Sequence, residues 1–343
     1  MTRTGEPRDY SLVGVEGKRA EERGLAAAQW YTSPVPRARL KELMRKRDGP
    51  AIRDTLIWLT ALTASGWAGF HYWGTWWAVP AFFVYSVLYG GVTDSRWHEC
   101  GHGTAFRTRW MNDVIYQLAC FMVLREPTPW RWSHTRHHAD TIIVGRDPEI
   151  AVPRPPDLVG LALNIFVIRS SLNEYGKIVR HVIGRLLPAE KTYIPESEWP
   201  KVFGTARIWA LIYAAVIAAA IVNRSLLPLM YIGLPTFLGG WLVPFFGLTQ
   251  HAGMAEDVLD HRLNTRTVYI NPLFRFLYWN MNYHIEHHMF PMVPYHALPA
   301  LHAEIKDDTP PAYHGMLAAY REIISTLLRQ VKDPAYHVVR SLP

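Results

Sequence analysis

Two pairs of long apolar runs limit what this chain can become. Residues 55–70 are almost wholly apolar, and after a break at 71–75 a second run covers 76–92. A second pair covers 203–222 and, past Asn223, Arg224 and Ser225, 226–248. Each run approaches the roughly 20 residues needed to cross a bilayer. Segments joined this closely satisfy their backbone groups in lipid only as helices. The pattern predicts an all-α membrane protein with four transmembrane helices in two hairpins. The chain of 343 residues then divides into an N-terminal segment (1–53), a four-span domain with a cytoplasmic helical cap (54–305), and a soluble tail (306–343). The tail is expected to be helical over 313–331.

Basic residues set the orientation. The first 53 residues carry twelve Lys and Arg, while the two hairpin turns carry only Arg224. The positive-inside bias places the N-terminus, the central segment and the C-terminus in the cytoplasm of an integral inner-membrane protein. Tyr72, Trp73, Trp76 and Trp77 fit an aromatic belt on the far side. A net charge of +7 suits anionic headgroups and calls for no nucleic acid. No short apolar core precedes residue 54, so no signal peptide is expected. The stretches 114–124 and 158–168 are too short to span. They suit helices lying in the membrane interface or packed into the cap.

Nine of the sixteen histidines fall in three runs plus one isolated position. His98 and His102 form an HxxxH run. His134, His137 and His138 form an HxxHH run, as do His284, His287 and His288; His251 stands alone after the fourth apolar run. Helix positions i, i+3 and i+4 share a face, so each run aims two or three imidazoles at one point. Eight such imidazoles exceed one metal ion and suit two. On the four-span topology all nine lie on the cytoplasmic side. Imidazole suits Zn, Cu, Fe and Ni. A closed structural zinc site takes four ligands, whereas nine histidines give two ions four or five each, which favours iron.

A single helical histidine is usually an ordinary polar side chain, and His71, His181, His261, His296, His302, His314 and His337 are read that way. Glu99, Asp140, Asp147, Glu256, Asp257, Asp260 and Glu286 stand close enough in sequence to hold a ligand's other N–H, although each also suits a solvated surface. Cys100 and Cys120 are the only cysteines. They are too few for a disulfide framework or an iron–sulfur ligand set, so electrons must come from elsewhere.

HxxxH, HxxHH and HxxHH on a four-span frame resemble the membrane fatty acid desaturase and hydroxylase superfamily over roughly residues 50–305. Gln250-His251-Ala252-Gly253, Asn282-Tyr283-His284 and Phe290-Pro291 are similar to a bacterial branch labelled for rhizopine catabolism. The resemblance implies that the eight histidines of the three runs bind two irons, with His251 completing the set and O2 as co-substrate. It implies hydrogen abstraction from an unactivated C–H bond of an acyl lipid or hydrocarbon chain. The outcome would be desaturation, hydroxylation or oxidative decarboxylation to an alkene.

Electrons would come from a separate ferredoxin or rubredoxin with its reductase. Arg131, Arg136, Lys177, Arg180 and Arg185 offer a basic dock. The fused cytochrome b5 motif of some relatives is not in this sequence. Two alternatives stay open: the same chemistry on a small polar metabolite met by Glu256, Asp257 and Tyr283, and a membrane zinc hydrolase. A metal carrier fits poorly, because the runs 76–92 and 226–248 contain no ionisable residue.

Overall fold

Proline and glycine placement decides which apolar runs become single helices. The structure, a computed structural model, describes residues 8–343. Two short helices, α1 (Glu16–Glu22) and α2 (Arg37–Leu43), precede α3 (Asp48–His71), which contains the first run. Gly74, at φ +87°, sits in the turn that follows. The second run is one rod in three parts: α4 (Ala78–Ser86), a π-helical turn (Val87–Gly91) and α5 (Thr93–Gly101). Next come α6 (Arg109–Val123) and α7 (Pro127–Ala139), the latter with proline at its first position, where no hydrogen bond is lost. α8 (Leu158–Leu163) and α9 (Ile168–Val182) lead to α10 (Trp199–Val222), which contains the third run.

The fourth run is not one helix. It breaks into α11 (Leu227–Tyr231), α12 (Leu234–Gly239) and α13 (Leu242–His251). Pro228 and Pro235 each sit in the first turn of a new helix, and Gly233 adopts φ +105°, a conformation that favours glycine. Among the described residues one helix, Glu196–Val222, is long and apolar enough by itself to cross a membrane. Beyond α13 lie α14 (His261–Asn264), α15 (Pro272–Leu277), α16 (His284–Met289), α17 (Leu298–Ile305) and α18 (Met316–Lys332). Two short parallel strands, β1 (Val268–Tyr269) and β2 (Tyr313–His314), pair with each other, and β2 replaces the start of the expected tail helix.

A glycine crossing joins the second and fourth runs. A Cβ on Gly90 would lie 2.6 Å from the Pro235 carbonyl oxygen, and one on Gly91 would lie 2.6 Å from that of Gly239. The extra residue of the π turn and the missing side chains let two backbones touch. Below the crossing, fully buried Arg96 on α5 donates to the carbonyls of Val92, Phe276 and Leu277 and lies 4.8 Å from the Trp279 ring centre. That cation–π contact and its hydrogen bonds pin α5 to α15. Outward, Trp67, Phe70, Trp76, Trp77, Phe83, Leu211 and Ile221 are all exposed. Exposed apolar side chains of this size and number mark a surface made to meet something other than water.

His181 on α9 is fully buried between two carboxylates: Nδ1 is 2.5 Å from Glu126 and Nε2 is 3.1 Å from Glu190. Burial alone would lower its pKa, but the two carboxylates raise it to about 9. A pKa raised above the unfolded value gives stability that is full below about pH 6.5 and lost as pH rises through about 9. Thermal unfolding midpoints of the purified protein are therefore expected to fall between those pH values. His181→Gln should flatten that segment of the profile and cost about 3–5 kcal/mol at pH 6.5, because two buried carboxylates lose their cation. A wild-type midpoint unchanged across the window would refute this assignment.

Candidate metal centre

Four helices deliver the nine histidines to one place. α5 carries His98, and His102 caps its end one turn later. α7 carries His134, His137 and His138 on its last turns; α13 ends on His251, and α16 carries His284, His287 and His288. Donor nitrogens of His98, His102, His134, His138 and His287 all lie within 4.8 Å of one another, and those of His137, His251 and His288 form a second such group. His284 joins the second group through an Nε2–Nε2 contact of 3.1 Å with His288. The His138 and His288 rings stack at 4.3 Å, linking the groups.

Hydrogen bonding cannot explain the first group. Its Nε2 atoms form a chain: His102 to His134 at 3.1 Å, His134 to His138 at 3.2 Å, His138 to His287 at 3.2 Å and His287 to His98 at 2.9 Å. A ring nitrogen carries a proton or a lone pair, never both. At most two of these four contacts can therefore be hydrogen bonds, and at least two close contacts are left that no hydrogen bond explains. Ligand nitrogens about 2.0–2.1 Å from a metal ion stand about 3.0–3.4 Å apart at neighbouring positions, close to the observed spacing. In the second group the buried Nε2 of His251 has no hydrogen-bond partner, while its Nδ1 is 2.9 Å from the Asn264 carbonyl oxygen. The donor set fits two metal ions.

Electrostatics keeps the lone pairs free. Burial, then the neighbouring imidazoles, push His98, His102, His138, His251, His284, His287 and His288 well below the usual histidine range. His137 moves the other way: burial would lower it, but Asp147, 2.9 Å from its Nδ1, raises it. Glu149 lies 3.0 Å from His134 Nδ1 and accepts from Ser133. Burial would raise Glu149, yet His134, His137 and Ser133 bring it down to about 2.

Of the seven carboxylates named from sequence, only Asp147 touches one of the nine histidines. Glu99 accepts from Thr104 and Tyr295; Asp140 binds Arg136 and Arg146. Glu256 and Asp257 bind Arg8, and Asp260 pairs with Arg262. Glu286 accepts from Thr267 and binds His302, whose Nε2 faces the Tyr269 hydroxyl at 2.7 Å. Tyr283 lies against His302, not among the nine. Sequence reasoning missed Glu149, and it set aside His261, which is buried with its ring 5.1 Å from His288.

A small cavity of about 70 Å³ lies beside His137 and His251. Arg154, Gln250 and Glu256 give it polar walls, and Ile150, Val152 and Leu248 give it apolar ones. Val152 and Leu248 pack against the buried cluster of Ala252, Ile323 and Leu327, as do Leu158 and Leu161 of α8, whose Val159 and Leu163 are exposed.

Carboxylates that hold a ligating imidazole typically matter about 10–100-fold in metal affinity. Asp147→Asn and Glu149→Gln are each expected to weaken binding of a divalent metal by that factor in titrations of the purified protein. Unchanged affinity in both variants would show that neither carboxylate orients a ligand.

The fatty acid desaturase family model matches residues 74–320, a span that contains all nine histidines. The chain is 25% identical over 250 residues to an omega-6 fatty acid desaturase, endoplasmic reticulum isozyme 1, of Glycine max, covering 64% of each chain. It is 22% identical over 299 residues to the acyl-lipid omega-3 desaturase (cytochrome b5), endoplasmic reticulum, of Arabidopsis thaliana, covering 77% of this chain and 72% of that protein. A stretch of 109 residues is 30% identical to an acyl-lipid (9+3)-(E)-desaturase of Dimorphotheca sinuata, 31% of this chain and 25% of that one. The match thus spans less than two thirds of the Glycine max protein's length. A family match over well over half of the sequence, with every clustered histidine inside it, means that the chain belongs to the fatty acid desaturase family.

Proposed function

We propose that this protein is a membrane-bound, O2-dependent di-iron oxidoreductase that desaturates an acyl chain. The observation that carries the reading is the convergence of nine imidazoles, five of them in contacts that protons cannot all satisfy, in a chain of this family. His98, His102, His134, His138 and His287 would hold one ion, and His137, His251, His284 and His288 the other. Bound there, iron would supply reduction of O2 and abstraction of hydrogen from an unactivated C–H bond. The overall reaction takes two hydrogens from the chain. With two electrons and two protons from outside, O2 leaves as two waters.

The residues of this chain set the conditions. Burial keeps most of the imidazoles neutral and able to bind metal, while Asp147 and Glu149 fix the rings of His137 and His134. The cavity beside His137 and His251 would place substrate next to them. Its apolar residues Val152 and Leu248 rest on the same buried cluster as α8, a side from which an acyl chain could leave the bilayer, and each buried methylene contributes about 0.8 kcal/mol. The domain 54–305 would sit in the membrane through four segments, the fourth broken at its prolines, with both termini and the histidines in the cytoplasm. Electrons would come from a separate ferredoxin or rubredoxin with its reductase. Arg154, Gln250 and Glu256 in the cavity wall favour one second reading, the same chemistry on a small polar metabolite.

Elemental analysis of active protein is expected to give two irons per chain, and His251→Ala should lower that count and abolish turnover. One metal per chain, or full activity with zinc alone, would overturn the di-iron reading. Mass spectrometry of lipids and small metabolites after co-expression with a ferredoxin system separates the substrates. An acyl product lighter by two hydrogens supports the first reading. A polar product with unchanged lipids supports the second.

A further inference from the structure

Trp30 and His261 form a two-ring stack that belongs to neither metal group and leads from the partly exposed surface to both of them. The rings lie 4.3 Å apart and within 4° of parallel. His261 is only 2% exposed, its Nδ1 has no hydrogen-bond partner, and its ring centre is 5.1 Å from that of His288. Trp30 is half-buried, packed with Ala20, Leu25 and Ile143. Its indole N–H donates to the carbonyl of Ala139 at 3.1 Å, and Ala139 follows His138 directly in the chain. One ring therefore approaches the second group through His261, and the first through one hydrogen bond and a short covalent path. The neighbouring pair is clamped as well, with the Arg262 guanidinium 3.5 Å over the Tyr31 ring.

We propose that this stack is the electron inlet of the protein, the place where a one-electron carrier protein delivers its charge. The inference rests on the di-iron reading above. Tunnelling decays far more slowly through bonded and stacked atoms than through gaps, and the stack carries the part-exposed indole to a ring whose centre is 5.1 Å from that of His288. In each passage a reduced carrier of the iron–sulfur class loses one electron, and the histidine-held centre gains it. Neither ring holds the charge in between. Two passages supply the two electrons that desaturation draws from outside. Trp30 and His261 would act as relay residues and touch no substrate.

The test compares two reductants on the iron-loaded, full-length protein under anaerobic conditions. Stopped-flow absorbance follows oxidation of reduced ferredoxin, or of rubredoxin if the wild type oxidises it faster, and separately of dithionite-reduced methyl viologen. Trp30→Leu is expected to slow the protein donor by about tenfold or more while leaving the viologen rate within about twofold and the iron count unchanged; Trp30→Phe should recover most of the loss. Both rates falling together would mark a packing role, and neither falling would place the inlet elsewhere. Either result overturns the relay. A wild type that binds no iron overturns the underlying reading, and the relay with it, and is recognised before any variant is measured.

Discussion

Everything else in the structure serves five lone pairs pointed at one spot. Buried imidazoles at hydrogen-bond distance from one another repel unless protons or a cation intervene, and protons can settle only half of the contacts. Such a cluster is unstable alone and must be held by its surroundings. The holding is visible: Arg96 locks α5 against α15, Asp147 and Glu149 fix rings on α7, and the Asn264 carbonyl fixes His251. A metal ion bound to so preorganised a donor set would relieve these contacts and couple its occupancy to stability.

The same logic separates two kinds of buried histidine. His181, between two carboxylates, is held as a cation and works as an ion-pair centre. Seven of the clustered histidines, surrounded mainly by one another, are kept neutral and able to act as ligands. Burial is common to both. The neighbours decide the protonation state, and with it the chemistry.

Legibility in the sequence followed periodicity. The three histidine runs could be read because helical spacing puts their members on one face, and His251 because it stands at the end of an apolar run. Asp147 was within reach of that reasoning, ten residues from His137. Glu149 was not, because only the fold of the loop after α7 turns it back to His134, and nothing in its own neighbourhood marks it. His181 and His261 looked ordinary for a similar reason: Glu126 is 55 residues from His181, and Trp30 lies in a different segment from His261. The broken fourth run was written in Pro228, Gly233 and Pro235, but apolarity alone suggested a single helix. Local helix chemistry won there over bulk hydropathy.

The crossing of Gly90 and Gly91 over Pro235 and Gly239 has a mechanical meaning. A contact made by backbones has no rotamers, so it has none of the compliance that side chains give to most helix pairs. α5 leaves this point toward His98 and α13 leaves it toward His251. The two act as arms on a fulcrum without play. Any tilt of one arm reaches the other undamped, and the separation of the two histidine groups is gauged at a point that contains no histidine at all.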